Sequence, residues 1–290
     1  MTSLDRSVEV ATHGSHRLLL TCPDRTGIIA AVTGFLAARG ANILEADQHS
    51  DPDAGLFAMR LEFEGGAIDA VKRDFASEVA RPLDMSWKLT PADSRPRIAI
   101  LCSREDHCLF DLLLRIRAGE LSAEVVAVLS TTDEHAEQVA GLGFPYRHVP
   151  VEPDGMTAHE HRLLDSIGGT VDLAVLARYM RILSGGFLRA LGAPAINIHH
   201  SFLPAFPGAE PYRRAHERGV KLIGATAHYV TEELDAGPII EQDVVRVSHR
   251  HRVEDLGRVG RDVERVVLAR AVLAHLEDRV ARWSERTVVF

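Results

Sequence analysis

Apolar and polar positions run in two rhythms along the first ninety residues. "HRLLLTCP" (16–23), "NILEADQHS" (42–50), "LFAMRLEFE" (56–64) and "DMSWKLT" (84–90) read as short strands, with the turn "DPDAG" between the second and third. "GIIAAVTGFLAARG" (27–40) places apolar residues at helical spacing and stops at Gly40, and "AIDAVKRDFASEVARPL" (67–83) is amphipathic. The order βαββαβ predicts a ferredoxin-like unit, an antiparallel sheet covered by helices on one face. "PADSRPR" (91–97), rich in proline and charge, predicts a linker, so the expected domains are 1–92 and 93–290.

From residue 97 strands and helices alternate. "RIAILCS" and "AEVVAVLS" flank "CLFDLLLRIRAG", whose Leu109, Leu112, Leu113 and Ile116 share a helical face. "VDLAVLARYM", "AINIHHS", "KLIGATAHYV" and "PIIEQDVVRV" read as further strands, and a helix from about Val253 to Trp283 closes the chain. Alternating β and α elements predict an open, mainly parallel α/β sheet with helices on both faces. Ligands bind such sheets beyond the carboxyl ends of the strands.

One strand breaks the apolar rule for buried parallel strands. In "INIHHSFLPAF" (196–206), Ile196 and Ile198 point to one face, and Asn197 and His199 to the other. An amide N–H can donate to an oxygen that becomes negative, and an imidazole can pass a proton near neutral pH. The pair suits attack on a carbonyl carbon. A carboxylate would complete it, and "TEELDAG" offers Glu232, Glu233 and Asp235. Asp235 is flanked by the small Ala236 and Gly237, but composition does not choose among the three.

Composition narrows the partners. The chain has 290 residues, 46% hydrophobic and 26% charged, as expected of a soluble protein with room for two domains. A net charge of −8 offers no attraction to nucleic acid or anionic membrane. "TGIIAAVTGFLAA" is too short to cross a bilayer, and "MTSLDRSVEVATHGS" lacks the apolar core of a signal peptide. Cys22, Cys102 and Cys108 are odd in number and scattered, so the expectation is a cytoplasmic protein with reduced thiols. "AHEHR" is not a His-Glu-x-x-His zinc pattern, and no Gly-x-Ser-x-Gly turn occurs. Cys108 opens a helix, where a thiolate would be stabilised, but a small buried residue is the commoner use of that position.

The segment "INIHHSFLPAFPGAEPYRRAHERGVKLIGATAHYVTEELDAGPIIEQDV" resembles the core of the folate-dependent formyltransferases. Within them it is most similar to the deformylase branch, which hydrolyses 10-formyltetrahydrofolate, balances the one-carbon pool and supplies formate for purine synthesis. The resemblance implies that Asn197 holds the formyl oxygen, that His199 exchanges protons with water and N10, and that Asp235 orients His199 and helps fix the water. "VLARYMRILS" (175–184) resembles the family's folate-binding strand and loop, which implies pterin contacts from the backbone around Met180, Arg181 and Leu183. His200, Thr226 and His228 are further candidates for the substrate site; His228 is read as a supporter of the catalytic groups. No metal or prosthetic group is implied, the folate being the substrate.

"LTCPDRTGIIAAVTGFLAARGANILEADQHSD" resembles an ACT domain, a small module that often binds amino acids. Asp24, Gly27, Ile28 and Asn42 match positions where such domains hold an effector at a subunit interface. Assembly alone is the rival role, and a homo-oligomer is expected in either case. Pro207, Glu210 and the pair Arg213-Arg214 depart from the family's pattern and bear on contacts to the folate tail.

The turn after the first strand of this second region bears on the acceptor of the formyl group. Relatives that formylate glycinamide ribonucleotide hold its phosphate in a Gly-rich turn after the first strand. Here that turn, "CSREDHCLFD" (102–111), has no glycine and presents Glu105 and Asp106. Like charge there disfavours a phosphate, which leaves water as the expected acceptor. The alternatives are transfer to an unidentified acceptor, or a folate- or amino-acid-sensing protein without catalysis.

Overall fold

The computed structural model describes residues 14–153, 155–204 and 211–290; Pro207 and Glu210 lie outside them. The chain divides into two compact units, one ending at Asp93 and the next beginning at Ser94.

The first unit contains β1 (His16–Pro23), α1 (Ile28–Ala38), β2 (Asn42–Asp51), β3 (Leu56–Glu64), α2 (Ile68–Phe75) and β4 (Ser86–Pro91). After α2 the helix widens through Ala76–Ala80. The sheet order is β2-β3-β1-β4, antiparallel throughout, as the βαββαβ order predicts. Leu18, Leu20 and Cys22 alternate along β1 into a core shared with Val32 and Leu36 of α1 and Val71 and Phe75 of α2. Gly27 opens α1 at φ +93°, a backbone region that side chains with a Cβ rarely adopt.

The second unit runs β5 (Arg97–Cys102), α3 (His107–Ala118), β6 (Glu124–Ser130), α4 (Ala136–Gly141), β7 (Tyr146–His148), α5 (Met156–Ile167), β8 (Leu173–Ala177), α6 (Gly185–Leu191) and β9 (Ala195–His199). It continues with α7 (Pro211–Arg218), β10 (Leu222–Tyr229), β11 (Ile239–Arg246), α8 (Val253–Leu276), β12 (Val280–Trp283) and β13 (Arg286–Val289). Seven strands form one sheet in the order β11-β10-β9-β8-β5-β6-β7. Strands β5 to β9 pair in parallel, and β10 is antiparallel to both of its neighbours. Both faces are covered. Ile98 and Ile100 of β5 pack with Leu109 and Leu113 of α3 and Val267 and Val272 of α8. The alternate residues Ala99 and Leu101 pack with Leu163 of α5 and Phe187 of α6.

Sequence order reverses between β5 and β8, the switch point at which open α/β sheets take ligands. Ser103, just after β5, donates its hydroxyl hydrogen to the carbonyl oxygen of Arg178, just after β8, at 2.7 Å.

Two boundaries differ from the sequence reading. The last helix ends at Leu276 rather than Trp283, and residues 280–289 form the hairpin β12–β13. Asp278 (φ 52°) takes the left-handed conformation just past the helix end, and the alternation in "VARW" and "RTVV" then favours strands. Strand β9 ends at His199, which puts His200 and Ser201 in the following loop. Among the described residues no helix is long and apolar enough to cross a membrane.

Candidate active site

Strands β9 and β10 pair with Asn197 opposite His228 and His199 opposite Thr226. Directly opposed residues share a face. The four side chains therefore form one polar patch, while Ile196, Ile198, Ala225 and Ala227 join the core on the other face. The polar positions of β9 are thus matched by polar positions of its neighbour.

Asp235 enters from the loop between β10 and β11. Its backbone is left-handed (φ 56°), a conformation in which Asp is among the better-tolerated residues. A Cβ on Gly237 would lie 1.8 Å from the carbonyl oxygen of Tyr229, so only glycine lets the loop close against β10. Asp235 Oδ2 then lies 3.3 Å from His199 Nδ1, and Oδ1 lies 3.8 Å from His228 Nε2. The hydrogen bond from His199 holds the Asp235 carboxyl below the usual carboxylate range, against the opposing effect of burial. An ionised Asp235 fixes the Nδ1–H form of a neutral His199 and leaves the lone pair on Nε2. That Nε2 atom is buried and has no hydrogen-bond partner among the described residues.

The orientation of Asn197 follows from His228. The Nδ1–H of His228 donates to the carbonyl oxygen of Tyr229 at 2.9 Å, so Nε2 bears the lone pair. Burial holds the pKa of His228 below the ordinary histidine value, which keeps it an acceptor. It therefore takes one N–H of the Asn197 amide, Nδ2 to Nε2 being 3.3 Å. The second amide hydrogen remains for a ligand. Asn197 and His228 line a cleft with Arg181 and Leu183 of the loop after β8 and with Glu233 and Asp235.

The loop after β8 is tied down from α5. The ring Nε2 of His159 pairs with the Tyr179 hydroxyl, and Glu160 accepts hydrogen bonds from the backbone N–H and hydroxyl of Ser184, both at 2.6 Å. Between these anchors Met180 takes φ +58° and turns its side chain outward, 57% exposed, while Leu183 is buried against the cleft. Neither anchor was expected from the sequence. Of the three candidate carboxylates, Glu232 pairs with Arg189 on the surface, and Asp235 alone reaches the histidines.

Thr226 and His200 are engaged by the protein's own groups. Thr226 is fully buried, and its hydroxyl donates to the Ser201 carbonyl at 2.9 Å while accepting from Leu203 N–H at 3.0 Å and Gln242 Nε2 at 2.9 Å. With one hydrogen and two lone pairs so used, it fastens the loop after β9 instead of binding a ligand. Thr226→Val removes the hydrogen bonds to the Ser201 carbonyl and from the Leu203 N–H and costs roughly 2–4 kcal/mol of stability, read by urea unfolding, whereas Thr226→Ser keeps most of it. Equal stability of the valine variant would refute this role. His200 is buried against Arg178 and Tyr212, in the loop that follows β9.

His107, Cys108 and Glu264 bring three potential metal-ligand atoms within 4.8 Å of one another. The chemistry does not suit a cation. Tyr212 donates to one Glu264 oxygen at 2.5 Å, His107 meets the other at 2.8 Å, and the Arg178 guanidinium stands 3.4 Å from that second oxygen. Burial pushes the Cys108 thiol up, away from the thiolate.

In the first unit the four effector candidates do not converge within one chain. Asp24 and Gly27 stand where β1 leaves the sheet, the Asp24 N–H donating to the Gly55 carbonyl at 2.9 Å. Asn42 pairs with Glu64 at the opposite end, since Pro23 pairs with Leu56 and His16 with Phe63. Ile28 is buried in the core.

The sequence model of the formyl transferases matches residues 96–272, and that of the ACT domain matches residues 16–78. A formyltetrahydrofolate deformylase of Mycobacterium tuberculosis is 57% identical over 279 residues, 94% of this chain and 90% of the relative. That of Bacillus subtilis is 49% identical over 280 residues, covering 94% and 93%. The crystal structure of a formyltetrahydrofolate deformylase from Pseudomonas syringae pv. tomato superposes with a TM-score of 0.92 at 46% identity over 97% of this chain and 96% of that one. A glycinamide ribonucleotide transformylase from Symbiobacterium toebii matches with a TM-score of 0.63 at 34% identity, over 68% of this chain and 94% of its own. The chain therefore belongs to the formyl transferase family and, over nearly its full length, to the formyltetrahydrofolate deformylases within it.

Proposed function

We propose that this chain hydrolyses 10-formyltetrahydrofolate to formate and tetrahydrofolate. The observation that carries this reading is that the Asn197 amide and the ionised Asp235 line one cleft at the end of β9, and that Asp235 holds the imidazole of His199 beside it, with Nε2 left unbonded among the described residues. Water attacks the formyl carbon while His199 Nε2 takes its proton, and the free N–H of Asn197 donates to the oxygen that becomes negative. The tetrahedral intermediate collapses, the C–N10 bond breaks, and His199 returns the proton to N10. Formic acid loses its own proton to solvent, so one folate and one water give formate, tetrahydrofolate and H⁺. The pterin is held by the loop from Met180 to Leu183, and no metal or prosthetic group takes part. In the turn after β5, Glu105 and Asp106 repel a phosphorylated acceptor, which favours water.

The ACT unit is read as an effector and assembly module of a cytoplasmic homo-oligomer, with Asp24, Gly27 and Asn42 offered to a small amino acid. The separation of Asp24 and Asn42 within one chain supports a site shared between two copies. The test is incubation of the purified protein with 10-formyltetrahydrofolate in buffer alone, with and without glycinamide ribonucleotide. Formate and tetrahydrofolate appear in equal amounts, and the acceptor changes nothing. Formyl loss only in the presence of the acceptor refutes hydrolysis. The same assay with candidate amino acids reads the ACT unit, which is an assembly device alone if none alters the rate.

A further inference from the structure

We propose that Arg178 and Glu264 form a buried ion pair that positions His200, and that this assembly sets the charge felt by His199 during the hydrolysis read above, on which the inference rests. Glu264 projects from α8 with no exposed surface, and Arg178 follows β8 in the left-handed conformation (φ 59°). Arg178 Nε lies 3.4 Å from Glu264 Oε2, and its Nη1 lies 2.5 Å from His200 Nδ1. His200 then meets His199 edge to face, the ring centroids 5.4 Å apart. A contiguous line of side chains thus joins the Glu264 carboxylate to the proton-exchanging imidazole.

The chemistry of the donors fixes each member. A guanidinium can only donate, so His200 Nδ1 accepts and the ring hydrogen sits on Nε2. Protonating His200 would break that bond and place two cations together. His200 stays neutral for this reason, and burial and Arg178 both push its pKa down to about 4. The proton taken by His199 therefore has no cationic neighbour at His200. The positive charge of Arg178 would still oppose it, and Glu264 offsets that charge. Burial alone would raise the Glu264 pKa, but the His107 hydrogen bond, the Arg178 charge and the Tyr212 hydroxyl outweigh it and keep the group ionised.

The groups facing Glu264 are Arg178 from the end of β8, His107 and Cys108 from α3, and Tyr212 from α7. His199 and Asp235 face His200 from the cleft side. Tyr212 also packs its ring 5.9 Å from that of His200. Glu264, Arg178, His200 and Tyr212 are positioning residues, and none of them lines the cleft.

Two measurements test the inference. Glu264→Gln removes the charge and keeps the shape. It moves the acid limb of the kcat/KM profile to lower pH by roughly one unit, the order of magnitude for losing one nearby buried charge. It lowers kcat with little change in KM. Tyr212→Phe removes one hydrogen bond from Glu264 but leaves His107 and Arg178 to hold its charge, and the limb stays in place. A limb unmoved in Glu264→Gln, with only thermal stability or yield reduced, makes the pair structural and overturns the proposal. Ring ¹⁵N NMR on the unmodified protein decides independently of activity and of whether the variant folds. His200 is expected as the Nε2–H tautomer at every pH from 5.5 to 8, and its titration near the ordinary histidine value overturns the proposal even if hydrolysis itself is established.

Discussion

Asn197→Ala lowers kcat for formyl hydrolysis by about 10²- to 10³-fold, with the KM for the folate changed far less. The asymmetry follows from how the amide is held. His228 is kept neutral by burial and bound through Nδ1 to the Tyr229 carbonyl, so it takes one N–H of Asn197 and leaves the other directed by a fixed partner. A donor fixed in advance gains most when the formyl oxygen carries its full negative charge, and little when that oxygen is a neutral amide carbonyl. Its loss is therefore felt in the transition state more than in binding. Removing the amide also leaves the buried His228 Nε2 without a donor, at a cost of about 1–3 kcal/mol in stability. Turnover must accordingly be measured on variant protein shown to be folded, by single-turnover assay and by folate titration of the same preparation. Native turnover in a folded Asn197→Ala would remove this residue from the chemistry. Equal losses in kcat/KM and in folate affinity, with kcat intact, would make it a binding group.

Much of this geometry is legible in the sequence, because strand periodicity alone places Asn197 and His199 on one face. The alternation of "INIH" with "TAHY" even contains the cross-strand pairs, but register is set by tertiary pairing and is not visible in either strand by itself. Asp235 was one of three carboxylates in the sequence. What selects it is the left-handed backbone and the approach of Gly237 to Tyr229, both properties of the folded loop. The structural role of Thr226 is not visible in the sequence, because the loop carbonyl and N–H that engage its hydroxyl reach it only in the fold. Glu264 carries a signal in the sequence. It shares a helical face with Gly260, Val267, Leu268 and Ala271, all at core-facing spacing, and a carboxylate on that stripe needs a buried partner. The short elements α4, β7 and α6 lack enough residues for a period to show.

Asp235→Asn is expected to lower kcat by roughly 10²- to 10⁴-fold, the range over which a positioned general base contributes, and His199→Ala by at least as much. The carboxylate does two things for His199. It accepts from Nδ1, which leaves the buried Nε2 with the lone pair that must take a proton from water. It also supplies a negative charge beside the imidazolium that forms. Asparagine removes the charge and, when its amide N–H faces Nδ1, imposes the opposite tautomer, with Nε2 already protonated and unable to act as base. A carboxylate-to-amide change at a comparable base elsewhere acts through that same tautomer error. Because the two residues serve one proton transfer, their effects should not add. The double variant should be little slower than His199→Ala alone, whereas independent roles would multiply the losses. The sign of the acid dependence also follows. The pKa of Asp235 is depressed in the folded chain, so whatever stability its contact with His199 adds is complete above the unfolded-state value near 3.9 and is lost only as pH falls through the lower folded value. Between pH 5 and 8 Asp235 stays ionised, and any fall in wild-type rate across that range must come from another group. A folded Asp235→Asn variant within a few-fold of native turnover would assign the carboxylate to loop structure, and the base would then have to work without it.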